Sequence, residues 1–104
     1  MYRYIYSVAK KYPVRLPDGS YTKFANGGKI TKVVPIIGYG TNKELGIRFW
    51  LESNYHIDSS LWTKYRGECY IFINHSIHRV EVHWYEANGY RCEIKLKYDF
   101  DEEA

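Results

Sequence analysis

The stretch from Arg79 to Lys97, RVEVHWYEANGYRCEIKLK, decides how this chain is read. Successive side chains of a strand point to opposite faces, so Val80, Val82 and Trp84 fall on one side and Arg79, Glu81, His83 and Tyr85 on the other. After Ala87-Asn88-Gly89 the alternation resumes, with Cys92, Ile94 and Leu96 set against Arg91, Glu93, Lys95 and Lys97. For the two apolar sets to share one face, paired positions must add to an even number. That condition excludes a two-residue Asn-Gly turn and predicts a three-residue loop with Gly89 in the left-handed conformation. The expected inner pairs are Trp84 with Cys92, Val82 with Ile94 and Val80 with Leu96. The expected outer pairs are His83 with Glu93, Glu81 with Lys95 and Arg79 with Lys97. Two of these outer pairs are opposite in charge, and such pairs stabilise a hairpin by roughly 0.2–1 kcal/mol each, which is one sufficient reason for the polar face.

Upstream, CYIFI (Cys69 to Ile73) is apolar at every position, as a central strand covered on both sides is. Asn74-His75-Ser76 is its turn into the quoted hairpin, giving a three-strand antiparallel meander. Pro17-Asp18-Gly19 joins YPVRL to SYTKF as a first hairpin, and Asn26-Gly27-Gly28 turns the chain into KITKVVPII, where Pro35 places the strand at a sheet edge or ends it early. Tyr2 to Val8 alternates weakly, as a further strand does. A helix lies within 42–55. Thr41 and Glu44 have capping-box spacing, while the alternation of Leu45, Ile47, Phe49 and Leu51 favours a later start near Arg48. Asp58-Ser59-Ser60 caps a second short turn before Trp62. The fold class expected is α+β, with one or two short helices packed on a twisted antiparallel sheet. Trp84, Trp62, Trp50 and Phe72 are assigned to the core.

The chain has 104 residues with 45% hydrophobic and 18% aromatic side chains, enough for one core. A single domain over 1–104 is expected, with residues 99–104 an acidic, frayed tail. No apolar run reaches the length that crosses a bilayer, and the first residues lack the order of a signal peptide, so a cytoplasmic protein without membrane contact is expected. Net charge is +3, and its excess lies early: nine Lys or Arg stand between Arg3 and Arg48 against Asp18 and Glu44. Such a field attracts phosphate backbones, although lysine-rich loops are also simply well solvated. Cys69 and Cys92 read as reduced core thiols, with a cross-strand disulfide open if their strands are neighbours. His75 and His78 flank a turn, which does not align them as a metal pair, and no metal or other cofactor is called for.

The polar face of the hairpin also carries the parts of metal-free phosphodiester cleavage. A base must remove the proton of a ribose 2′-hydroxyl, an acid must protonate the departing 5′-oxygen and a cation must stabilise charge on phosphorus. His83 suits proton transfer near neutral pH, Glu81 or Glu93 can orient it, Lys95 and Lys97 fit the electrostatic role, and Tyr85, Tyr65 or Tyr90 can stack on a splayed base. GYGT (Gly38 to Thr41) is a turn whose N–H groups can hold one phosphate.

Several stretches together, KFANGGKIT, GYGT, Arg48 ahead of the helix, WTKYRG, EVHWYE and EIKLK, resemble small domains at the C-termini of phage minor capsid proteins and of polymorphic toxins, in the barnase, EndoU, colicin and RelE-like nuclease group. The resemblance implies a helix followed by an antiparallel sheet whose exposed face cleaves RNA, often tRNA or mRNA, without a metal. By position it implies His83, Glu81, Lys64 and Lys95 as catalytic residues, Arg48, Arg66, Lys97, Tyr85 and Thr41 as nucleic-acid contacts, and RNA and a neutralising protein as partners. The segment NYHIDSSLW departs from the glycine-rich link of those relatives. The rival reading is a non-catalytic phage-type domain that binds a protein through its Tyr-rich strands. A DNA reader ranks third because no basic recognition helix is visible.

Overall fold

The structure, a computed structural model, describes residues 13–102. It is an α+β fold with one six-stranded mixed sheet, built from β1 (Val14–Arg15), β2 (Tyr21–Thr22), β3 (Thr31–Gly38), β4 (Thr63–Ile73), β5 (Ser76–Ala87) and β6 (Tyr90–Asp99), in the order β2-β1-β6-β5-β4-β3. The helix α1 (Arg48–Tyr55) and a single 3-10 turn (Ser59–Leu61) lie between β3 and β4. The sheet is not wholly antiparallel as expected, because β1 joins β6 in parallel through Arg15 and Lys95. Tyr2 to Val8 falls outside the described residues. No helix among the described residues is long and apolar enough to cross a membrane.

β4, β5 and β6 follow one another as antiparallel neighbours. The turn between β4 and β5 is Asn74-His75, with φ of 48° and 68°, and that between β5 and β6 is Asn88-Gly89, with φ of 50° and 76°. Positive φ at both central residues is the type I′ geometry, whose twist matches the flanking strands. The expected three-residue loop is therefore corrected to a two-residue Asn-Gly turn. The parity argument assumed an unbroken ladder, and β6 breaks it twice, between the pairs Tyr85↔Cys92 and His83↔Lys95 and again between Val82↔Leu96 and Glu81↔Tyr98. At the first break Glu93 adopts φ 55°, and Glu93 and Ile94 together stand opposite Trp84. Each bulge shifts the partner by one residue and so swaps faces.

The bulge at Glu93 explains how Cys92 and Ile94 enter different cores. Ile94 joins Val14, Cys69, Ile71, Val80, Val82 and Trp84 on one face of the sheet. Cys92 packs with Leu45, Leu51, Tyr55, Trp62 and Ala87 on the other. The two thiols are free, and each is pushed up to about 12 chiefly by burial. Gly67 sits beneath Trp84 and Ile30: a Cβ there would come within 2.5 Å of Ile30 Cγ2 and 3.0 Å of Trp84 Cη2.

α1 covers one end of the second face with Leu51 and Tyr55, four residues apart and both buried. It starts at Arg48 without a side-chain cap because its N-cap, Ile47, has no side-chain acceptor, and the Thr41 hydroxyl is spent on the Gly38 and Lys43 carbonyls in the preceding loop. His56, at φ 58°, ends it. Asp58 caps the 3-10 turn as expected, accepting from the Ser60 N–H at 2.8 Å. Trp50 was assigned to the core but is half exposed, on the helix side away from Leu51. Tyr70 likewise leaves CYIFI covered on one face only, since its ring is 44% exposed. β3 is the edge strand that Pro35 called for. The acidic tail begins inside the sheet: Asp99 ends β6 against His78 at 2.8 Å, and the Asp101 carboxylate accepts from the Arg79 N–H at 2.7 Å.

Candidate nucleic-acid interface

Beyond the end covered by α1, the second face of the sheet is organised in cross-strand rows. The register sets Arg66 on β4 opposite His83 on β5, His83 opposite Lys95 on β6, and Lys95 opposite Arg15 on β1. Directly paired residues share a face, so these four side chains form one row across four strands, roughly 14 Å from end to end at ordinary strand spacing. The next row, about 7 Å further along the strands, holds Glu68, Glu81 and Tyr98, and the one after it Tyr70, Arg79 and Phe100. On the helix side lies the row of Lys64, Tyr85 and Cys92.

The charge complementarity expected along the hairpin is absent. The two-residue turn and the bulge at Glu93 each move the register by one relative to the expected pairs, so Lys95 lies across from His83 rather than Glu81, and Glu81 faces Glu68 and Tyr98. Glu68 is compensated by Arg79 at 2.8 Å and Lys32 at 3.6 Å. Glu93 turns toward the helix, where its carboxylate accepts a hydrogen bond from the Tyr55 hydroxyl. Among the described residues, Arg15, Lys64, Arg66, Lys95 and Lys97 take no ion pair. Like charges on adjacent strands are destabilising, so this row is not explained by the stability of the sheet.

His83 stands at the centre. Its Nε2 lies 2.8 Å from Glu81 Oε2, and its Nδ1 is buried without a hydrogen-bond partner. The residue is only 9% exposed, whereas the alternation alone put the imidazole open to solvent. The difference arises because a central strand has neighbours on both sides, and the stems flanking a ring bury it even on a polar face. Burial is the largest influence on its pKa and pulls it below 6.5; its hydrogen bond to Glu81 opposes this and the charge of Lys64 adds to it. The imidazole is thus neutral at pH 7, and since an ionised carboxylate only accepts, Nε2–H donates to Glu81. Lys64 is also held below its ordinary value, first by burial and then by the charges of Lys95 and Lys97. The Glu81 side chain is a quarter exposed, and its Oε1 takes no hydrogen bond among the described residues.

Of the residues assigned from sequence, His83, Glu81, Lys64, Lys95 and Arg66 come together on this face, and Lys97 is the extra residue of the second bulge of β6. Tyr85 shares the face but not the exposure: its ring packs beside the helix core with Lys64 Nζ 6.0 Å from its centroid. Tyr65 stacks on Trp84 in the other core, and Tyr90 packs against Tyr55, so neither offers an open ring. Thr41 and Arg48 lie elsewhere, lining a cavity of about 360 Å³ formed by the Gly38–Leu45 loop, Ser59, Ser60 and Trp62. There Arg48 Nη1 donates to the Leu45 carbonyl at 2.8 Å, which commits it to holding the loop. Arg15, Tyr70 and Tyr98 were missed by sequence reasoning. Exposure of alternate residues in EIKLKY was the available signal for Tyr98, and none existed for Arg15, whose place depends on a pairing between distant segments. No protein-family model, curated protein or solved structure matches the chain.

Proposed function

We propose that this sheet face binds the phosphate backbone of RNA and that the chain is a metal-independent ribonuclease-like domain of the phage and toxin type. The observation that supports this reading is the row Arg66, His83, Lys95 and Arg15, whose cations have no carboxylate partners and which lies beside an accessible carboxylate. In this reading Glu81 is the general base that accepts the 2′-hydroxyl proton through Oε1. His83 is a positioning residue that holds the carboxylate through Nε2–H, its Nδ1 being too enclosed to meet substrate. Lys64, whose lowered pKa eases proton donation, protonates the 5′-oxygen, and Lys95, Lys97 and Arg66 stabilise the charge on phosphorus.

The test is incubation of the purified protein with end-labelled RNA in EDTA. Cleavage leaving 2′,3′-cyclic phosphate ends, lost in Glu81→Gln with binding retained, supports the reading. Binding without cleavage removes the catalytic part of it, and absence of both overturns it. A second reading, a non-catalytic protein-binding domain, is favoured by one observation: Phe49 and Trp50 on α1 are 58% and 50% exposed, an unusual display for aromatic side chains on a short helix.

A further inference from the structure

We infer that the RNA taken by this face is single-stranded, with its bases stacked on Tyr98 and Tyr70; this rests on the RNA-binding reading above. The two rows beyond the cationic row are the basis. Tyr98, paired with Glu81, is 60% exposed, and Tyr70, paired with Arg79, is 44% exposed. Between them the Arg79 guanidinium lies 4.2 Å from the Phe100 ring centroid, and Phe100 meets Tyr98 edge-on at 5.1 Å between centroids. Cations on one side and open rings on the other therefore share a single sheet face, separated along the strands by about 7 to 14 Å. A duplex hides its bases in the stack and offers only its backbone and groove edges, whereas an open strand can lay phosphates on Arg66, Lys95 and Arg15 while its bases turn onto the rings. Exposed Tyr98 and Tyr70 have no role in either core, and the compensation of Glu68 by Arg79 and Lys32 removes one of the two negative charges on the path between the rows.

The test is fluorescence anisotropy with a labelled 2′-O-methyl oligoadenylate decamer, which cannot be cleaved by 2′-hydroxyl attack, and with the same strand annealed to its complement. The wild-type protein is expected to bind the single strand at least tenfold more tightly. Tyr98→Ala and Tyr70→Ala are each expected to weaken single-strand binding by roughly 5- to 100-fold, as loss of a stacking ring does. Tyr98→Phe, which keeps the ring, is expected to retain it, and circular dichroism checks that each variant is folded. Equal affinity for the duplex, or tyrosine variants that bind normally while Arg66→Ala and Lys95→Ala bind weakly, overturns single-strand stacking and leaves the backbone reading standing. No binding to either probe at low salt overturns both.

Discussion

Lys95 lies directly across the sheet from His83, and the carboxylate that alternation assigned to that place, Glu93, is instead bonded to the Tyr55 hydroxyl on the helix. The two-residue turn and the left-handed Glu93 together separate the two arrangements, each moving the register by one residue. With a three-residue loop and an unbroken ladder the hairpin polar face is self-compensating; with the Asn88-Gly89 turn and Glu93 at φ 55° it becomes a row of unmatched cations.

The Tyr55–Glu93 hydrogen bond should therefore hold the bulge in place. Tyr55→Phe removes the donor and little else, and a hydrogen bond to a charged group contributes about 1.5–3 kcal/mol. Urea denaturation should show a lower midpoint with an unchanged slope. An unaltered midpoint means that the bulge stands without the helix.

Stability should fall on acidification through the window below pH 6.5. The folded His83 pKa is depressed, so in that window the unfolded chain binds a proton that the folded chain does not, and stability rises with pH. The contribution is complete above 6.5, the ordinary value, and is lost as the pH falls toward the folded value. The difference in urea midpoint between wild type and His83→Gln, followed from pH 7.5 to 5, isolates it; a flat difference contradicts the buried neutral imidazole.

The cations should be felt in salt dependence before they are felt in stability. Arg15→Ala, Arg66→Ala and Lys95→Ala are each expected to reduce the slope of log affinity against log salt for single-stranded RNA by about 0.7, with thermal midpoints unchanged or slightly raised. Arg15 is the discriminating case, because only the parallel pairing with β6 brings it into the row. A slope unchanged by Arg15→Ala removes it from the interface.

Both thiols should be silent in the native protein. Cys69 and Cys92 are buried in separate cores with their pKa raised to about 12, so neither forms the thiolate at neutral pH. A chromogenic disulfide reagent should titrate none before, and both after, addition of guanidinium chloride.

Gly38 should tolerate no side chain. Its φ is 108°, and a Cβ would lie 2.3 Å from the Trp62 carbonyl oxygen. Gly38→Ala combines a strained backbone with a backbone clash and should cost about 2–3 kcal/mol, read as a drop in thermal midpoint.

What the sequence made legible is local. Alternation put Glu81, His83 and Lys95 on one face and Val80, Val82 and Trp84 on the other, and Pro35 marked an edge strand, because each of these depends on period and residue type alone. The register did not follow, since nothing in EIK marks a glutamate in the left-handed region and a bulge is invisible to a parity rule. The burial of His83 and the loss of Tyr85 to the helix core depend on neighbours supplied by β4, β6 and α1. Trp50 was misassigned for the same reason: hydrophobicity names candidates for burial, and helix phase chooses Leu51 and Tyr55 among them.

Arg15 and Lys95 stand near opposite ends of the described chain, and their pairing is the one contact in the row that no hairpin can make. Hairpin contacts close early because the loops they bridge are short; a link between remote segments carries a larger entropic cost and is completed late. The fully assembled polycationic track is accordingly a property of the finished fold, and a partly folded chain offers any polyanion a narrower foothold.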